Sequence, residues 1–384
     1  MTDLMTIFYS GAAAIIAFAL AMALSQSNTR QDQTLGLAAV LLALLAHVLG
    51  ELIIVSGLYA VAPHLAGAQL ALRMALGPAL LFYASALVSP TRIGFGGRDW
   101  FGLLGPGLVI LASLPLASLS AEEKLALVDP ATRDPAHFQI ALFTCTAAIL
   151  LFLVFTTFYL VRALRLQAQH RKDMKAQFSN TERVSLDWLR NIVFLFMGVW
   201  LIVAVKQTLW MAGIPAPLFY GALAFSEMLA IAAFAFLALR QPALSFDPAD
   251  KVAAPRAPIL SQERATRIAA KLTAALNADR LYADSDLSLR RLSDVTGVTK
   301  NHISETLSQH LGLNFFDFVN ARRVEDARRL LADTDETVLA IAYEVGFNSR
   351  STFNAAFKKH VGVTPREYRD SVWARSSAIL KSAE

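Results

Sequence analysis

The sequence predicts an all-α chain divided between two solvents: a bundle of seven membrane-spanning helices, then a small polar helical domain. Three observations predict it. Hydrophobic residues make up 55% of the 384 residues and the mean hydropathy is +0.46, too apolar for a surface that faces water throughout. The apolarity is uneven, with long charge-poor runs up to about residue 240 and charged residues crowded into the C-terminal remainder. Two glycine-centred helix-turn-helix patterns recur about 50 residues apart in that polar part.

A hydrocarbon core of about 30 Å needs roughly 20 apolar helical residues. Seven runs qualify, at about 4–25, 34–57, 66–88, 100–119, 138–163, 188–212 and 217–239, so that 1–240 reads as a seven-span domain. The fourth holds Gly105-Pro106-Gly107 and is the least regular, while Pro78 should kink the third, with neighbouring helices re-satisfying the freed backbone groups. Lys and Arg give the orientation. The 162–183 connection carries Arg165, Arg171, Lys172 and Lys175, and the 89–99 connection carries Arg92 and Arg98. The alternating connections are poor in positive charge: 58–65 has none, and 120–137 sets Glu122, Glu123, Asp129 and Asp134 against Lys124 and Arg133. The positive-inside rule then puts the N-terminus outside and everything after Arg240 in the cytoplasm. The first run ends in Ala-Leu-Ser, which resembles a signal-peptide cleavage site, yet Met-Thr-Asp at the start lacks a basic region. Cleavage would also leave six spans and carry the polar part outside, so the run is kept as a span. The net charge of +5 and pI near 9.3 fit a nucleic-acid binder and a positive-inside membrane protein equally. The single cysteine, Cys145, has no disulfide partner in the chain and reads as a small hydrophobe, so no redox or metal site is indicated.

Residues 241–260, with Pro242, Pro248, Pro255 and Pro258, read as a stiff extended linker. In 261–283, Ile268, Leu272 and Leu276 recur at helical spacing, opposite Arg264, Lys271 and Asp279. One stripe this short either packs on the adjoining polar domain or pairs with its twin in a dimer; the first is favoured.

The polar domain, 284–384, holds the two helix-turn-helix patterns, at 287–312 and 338–362. In the first, Leu289 and Leu292 suit the inner face of one helix, Gly297 the turn, Thr299 the cap of the next helix, and Ile303, Leu307 and Leu311 its buried edge. Asn301, Glu305 and Ser308 then face outward, with His302 and Ser304 at the border. A helix of about 315–332 with Arg322, Arg323, Arg328 and Arg329 comes next. In the second pattern Leu339, Ile341 and Ala342 lie on the first helix, Gly346-Phe347 makes the turn, and Ser349 caps a helix with Phe353 and Phe357 inward. Arg350, Ser351 and Asn354 face outward, then Lys358 and Lys359. Arg and Asn suit bidentate contacts to guanine and adenine, whereas Lys more often meets phosphate.

The run IAYEVGFNSRSTFNAAFKKHVGVTPREYR, the RRVEDARRLL helix before it, and the LSDVTGVTKNHIS run of the first pattern resemble the AraC/XylS family of bacterial transcription regulators over about the last third of the chain, from about Ser261 to Arg375. That resemblance implies an AraC-type DNA-binding domain: two helix-turn-helix units joined by a central helix and set in successive major grooves. It places base-reading positions on Asn301, Ser304 and Glu305 in the first unit and on Arg350, Ser351, Asn354 and Ala355 in the second. Phosphate contacts are expected from Thr299, Lys300, Ser349, Lys358 and Lys359. Glu305 departs from the family, which often has a basic residue there; an acid repels phosphate but can accept a hydrogen bond from cytosine. The partners implied are double-stranded DNA, a homodimer twin and, as a candidate, RNA polymerase. The location implied is the bacterial inner membrane, multi-pass, and no cofactor is called for.

Ionisable residues inside spans are costly and are the first place to seek a sensor. His47, Glu51, Arg73, Lys206 and Glu227 fall at or outside the bilayer midplane in the orientation above. They could neutralise one another as a packing network, line a polar pocket for a small-molecule or envelope signal, or carry protons. His47 and Glu51, four apart, are too few for a metal site. Trp210, Tyr59 and Tyr83 read as packing or interfacial aromatics, and the last span has no lysine for a retinal Schiff base. Catalytic signatures such as G-x-S-x-G, H-E-x-x-H or a phosphate loop are missing and the spans show no internal repeat, which weighs against an enzyme or transporter fused to a regulator. The expectation is a non-enzymatic, membrane-anchored regulator; a bundle acting only as anchor and oligomeriser remains the alternative.

Overall fold

The computed structural model describes residues 2–26, 30–65, 67–89, 93, 99–127, 131–181, 186–211, 217–241 and 260–383. Among them every regular element is a helix, apart from one isolated antiparallel bridge between Phe178 and Ser288. The chain divides into two compact units, Met1–Ala168 with Leu186–Phe246, and Gln169–Ser185 with Asp247–Glu384. Nearly all of the 241–260 linker lies outside the described residues.

The first unit is built from α1 (Thr2–Ser25), α2 (Gln31–Val55), α3 (Ala68–Arg73), α4 (Leu76–Val88), α5 (Leu104–Ala117), α6 (Ala121–Ala126), α7 (Pro135–Gln177), α8 (Asp187–Met211) and α9 (Pro217–Arg240). The last turns of α7, from Gln169, belong to the second unit. The third apolar run is split where Pro78 predicts trouble. Proline has no N–H to give Met74, and the chain tightens there, with Met74 and Ala75 N–H groups donating to Ala71 and Leu72 carbonyls. The fourth run departs from a full span. A 3-10 turn at Asp99–Leu103 precedes α5, whose 14 residues rise about 21 Å, and Pro106 sits in the first turn, where its missing N–H costs nothing. Six helical segments among the described residues are long and apolar enough to cross a membrane, and Phe101–Ala117 is a shorter apolar one.

Small residues set the packing of this unit. Along α1, Ala12, Ile16, Ala19 and Ala23 are buried at helical spacing, which lets its backbone lie close to α2 and α9. A Cβ on Gly36 would stand 2.9 Å from Tyr83 Cα, so α2 and α4 approach at a position only glycine tolerates. The outward faces are apolar too: Phe18, Val154 and Leu201 are 66%, 74% and 66% exposed. Such a surface is stable in lipid and a liability in water.

The second unit contains α10 (Gln262–Asn277), α11 (Leu289–Thr296), α12 (Lys300–Glu305), α13 (Phe315–Asp333), α14 (Val338–Glu344), α15 (Arg350–Val361) and α16 (Pro365–Ala383). Two apolar cores share α13. Phe315, Phe318 and Val319 from its first half join Leu289, Leu292, Ile303 and Leu307, whereas Val324, Ala327 and Leu331 from its second half join Ile341, Ala342, Phe347, Phe353 and Phe357. Ile268, Leu272 and Leu276 of α10 are buried in the first of these cores. The amphipathic stripe is therefore spent on packing, and it has no apolar face left to pair with a twin.

Candidate nucleic-acid interface and buried polar cluster

Each helix-turn-helix arises from local chemistry. Gly297 (φ 66°) ends α11 and Gly346 (φ 97°) comes after α14, both in the left-handed region where a side chain is strained. Thr299 then accepts the His302 N–H at the start of α12, and Ser349 accepts the Thr352 N–H at 3.2 Å at the start of α15. Both cap hydroxyls expected at phosphate thus already accept from their own helices, and the Ser349 hydroxyl also donates to Thr352 Oγ1 at 3.3 Å.

The inner edge of α12 differs from expectation at one place. Residues Thr306–His310 form a π turn, with Leu311 N–H reaching Thr306 O, and the extra residue rotates Leu311 outward to 37% exposure instead of into the core. On the outer edge Asn301 is exposed and Lys300 and Ser304 are half-buried. Glu305 is held. Its Oε1 accepts the Leu260 N–H at 2.8 Å, just before the first turn of α10, where the helix dipole also favours an anion. The departure from the family at this position has a structural use: the acid fixes the entry to α10, which weakens its case as a base reader.

The second helix-turn-helix pattern presents a cleaner face. On α15, Arg350, Ser351 and Ala355 are exposed and Asn354 is half-buried, opposite the buried Phe353, Ala356 and Phe357. Lys358 is exposed, whereas Lys359 Nζ pairs with Asp317 Oδ1 at 2.7 Å and so ties α15 to the first turn of α13. His360 beside it is pushed below the usual imidazole range by burial and by the Lys359 charge.

A polar knot joins the two patterns. Asp326 on α13 accepts from Tyr282 at 2.8 Å, Arg280 at 2.9 Å and Arg329 at 2.6 Å, and Arg280 also reaches Glu344 of α14 at 3.3 Å. Burial alone would raise the Asp326 carboxyl, but the Tyr282 and Arg280 hydrogen bonds win and hold it below the usual carboxylate range.

In the first unit, four of the five ionisable residues picked from the sequence come together; the side chain of Lys206 lies outside the described residues. Arg73 Nη2 donates to Glu51 Oε1 at 2.7 Å, and His47 Nε2 stands 3.5 Å from Glu227 Oε2. Two residues the sequence did not single out complete the group. The Trp200 ring lies 5.3 Å from the His47 ring and 5.5 Å from the Arg73 guanidinium, and buried Tyr9 sits beside the Glu227 carboxylate. Both are aromatics with a polar tip set within apolar runs, the one signal by which they could have been found. Both His47 ring nitrogens, Arg73 Nε, Trp200 Nε1 and Glu227 Oε2 are buried without a hydrogen-bond partner among the described residues. The adjoining cavity, lined by Arg73, Phe152 and Trp200, measures about 10 Å³, room for one water and no more. No group of three His, Cys, Asp or Glu suited to a metal occurs among the described residues.

Comparison with known proteins agrees with the second unit's geometry. A family model described as a helix-turn-helix domain matches residues 292–371. An HTH-type transcriptional regulator of Staphylococcus aureus (strain COL), itself uncharacterized, is 39% identical over 89 residues, 23% of this chain and 12% of that protein. The melibiose operon regulatory protein of Escherichia coli (strain K12) is 31% identical over 86 residues, 22% of this chain and 28% of that protein. The chain thus spans about an eighth of the staphylococcal relative's length. No solved structure matches. The chain carries an AraC-type helix-turn-helix domain at its C-terminal end, similar to transcriptional regulators.

Proposed function

We propose that the chain is a membrane-anchored, sequence-specific DNA-binding transcription regulator, with α15 as its principal reader and the polar cluster of the first unit as its sensor. The observation that carries this is the presence, in one chain, of an AraC-type helix-turn-helix domain and six apolar segments long enough to cross a bilayer. Arg350 and Asn354 read base edges, and Lys358 and Lys300 meet phosphate. The fourth apolar run, α5 with its preceding turn, makes the seventh crossing and sets the N-terminus outside. The orientation has independent support: Arg171, Lys172 and Lys175 belong to the same compact unit as the DNA-reading helices, as the positive-inside rule requires of a cytoplasmic connection. A homodimer and RNA polymerase are the protein partners proposed, and the bacterial inner membrane is the location. With α10 packed inward, dimer contacts must come from elsewhere in the chain.

A second reading, in which the first unit is only an anchor, is favoured by the ion pair of Glu51 with Arg73 and the approach of His47 to Glu227, which tie α2 to α3 and to α9. Substituting Glu227→Gln in the full chain, with membrane level checked, separates the two. A changed output from a reporter driven by the chain's own upstream DNA supports a sensor, whereas an unchanged output for Glu227→Gln and for Glu51→Gln refutes it.

A further inference from the structure

The end of α7 and the residues after it are packed into the DNA-binding unit by an arrangement that the helix-turn-helix patterns do not require. Met174 is 4% and His170 5% exposed, and Lys175 Nζ lies 5.1 Å over the Phe316 ring at the start of α13. Phe178 forms the antiparallel bridge with Ser288, the residue that caps α11. Ser179, 1% exposed, donates twice to Leu287 O, from its N–H at 3.1 Å and its Oγ at 2.8 Å.

The partner of this segment is Arg323. Its side chain is wholly buried, and each of its nitrogens is matched by an acceptor. Nε donates to Tyr282 O at 2.7 Å; Nη1 to Ser179 O at 3.3 Å and Asn320 Oδ1 at 3.2 Å; and Nη2 to Ser179 Oγ at 3.1 Å and Asp284 O at 2.8 Å. The guanidinium also lies 5.5 Å over Phe347, in the turn of the second pattern. Arg323 therefore touches the approach to the first pattern, the central helix and the second pattern at once. Gly346 shows how tight this joint is: a Cβ there would meet Ala283 O at 2.6 Å. Two of the five acceptors for a buried, charged group come from Ser179. Withdrawing the segment strands donors that the interior cannot otherwise satisfy, so the joint must respond when the segment leaves.

We propose that residues 169–181 are a strap, a second link between α7 and the DNA-binding unit beside the Pro-rich linker, which sets the joint between the two helix-turn-helix patterns through Ser179 and Arg323. Docked and released states of the strap then differ in affinity for DNA, because two patterns that read successive major grooves depend on the angle between them. This rests on the reading of the chain as a DNA binder. The test uses the full chain in detergent and a duplex that it selects from a random pool. In a Cys145→Ser background, Phe178→Cys with Ser288→Cys places thiols across the antiparallel bridge, within disulfide reach. Mild oxidation should close the link within one chain, and the oxidised protein should differ from the same sample after reduction by at least about threefold in DNA affinity. Ser179→Ala, which removes the hydroxyl without adding bulk, should move affinity at least about threefold in the opposite direction, and it covers the case in which loss of the Ser288 cap harms folding. Failure to cross-link in a folded sample, affinities equal within about twofold, or shifts in the same direction would overturn the strap. A chain that selects no DNA at all would instead overturn the reading beneath it.

Discussion

At the scale of single residues, the proposed DNA face of α15 sets expected readers of sequence, Arg350 and Asn354, beside an expected phosphate contact, Lys358. Arg350→Ala and Asn354→Ala should each cost about 1–3 kcal/mol of discrimination at one base pair while leaving binding to unrelated DNA nearly unchanged. Lys358→Ala should weaken binding to all sequences alike and reduce the salt slope by about one. Lys359, next to it, should behave differently, because its ammonium is engaged by Asp317. Lys359→Ala should cost stability as well as affinity, which salt titrations and thermal melts on one sample would separate. Glu305 carries the sharpest residue-level expectation. With its carboxylate on the Leu260 N–H, Glu305→Gln should lower the protection of the α10 amides in hydrogen exchange and leave the selected DNA sequence unaltered. A changed base preference would return Glu305 to the readers. The caps at Thr299 and Ser349 and the outward set on α15 were legible because each rests on residues within about one or two helical turns. The duties of Glu305 and Lys359 were not, since their partners lie 45 and 42 residues away in sequence.

At the scale of elements, the two turns should tolerate substitution unequally. Gly297 and Gly346 share a left-handed backbone, but a Cβ on Gly297 meets nothing within 4 Å, whereas one on Gly346 meets Ala283 O at 2.6 Å. Gly297→Ala should therefore cost about 1–2 kcal/mol from backbone strain alone, and Gly346→Ala distinctly more, read as unequal losses of amide protection in α13. Asp326 gives this unit an acid sensitivity. Its carboxyl is held below the usual range, so the stability it contributes is present above the unfolded-state value, about 3.9, and is lost as pH falls through the lower folded value. Asp326→Asn should cost about 2 kcal/mol at neutral pH and flatten the acid limb of the stability curve. Periodicity found the stripe of α10 and the buried edges of α11, α12 and α15, because burial on one face is written into a helix at every turn, but it did not foresee α6, α16 or the end of α10 at Asn277. It could not find the π turn after α12, which inserts one residue without altering the composition, nor the division of the fourth run into a 3-10 turn and a 14-residue helix, since the apolarity persists through both.

At the scale of the whole molecule, the polar cluster of the first unit is where a sensor and an anchor differ, and its energetics provide a way to separate them. His47, Glu51, Arg73 and Glu227 were visible as charges in apolar runs, but Tyr9 and Trp200 belong to other helices and entered only through the fold. Arg73→Ala should destabilise the unit by about 3–5 kcal/mol, since it removes the buried guanidinium that pairs with the partly buried Glu51 carboxylate. The apolar pair Glu51→Leu with Arg73→Met should recover that stability. If the cluster only holds helices together, reporter output recovers too. If it senses a signal, the protein refolds and its output stays altered. The central claim, a DNA reader held at the cytoplasmic face of a membrane, is tested most directly by exposing membrane vesicles that contain the full chain to a random duplex pool. Inside-out vesicles should enrich a defined sequence, right-side-out vesicles should not, and Arg350→Ala with Asn354→Ala should abolish the enrichment. Recovery of the chain in the soluble fraction, or enrichment by right-side-out vesicles, would contradict it.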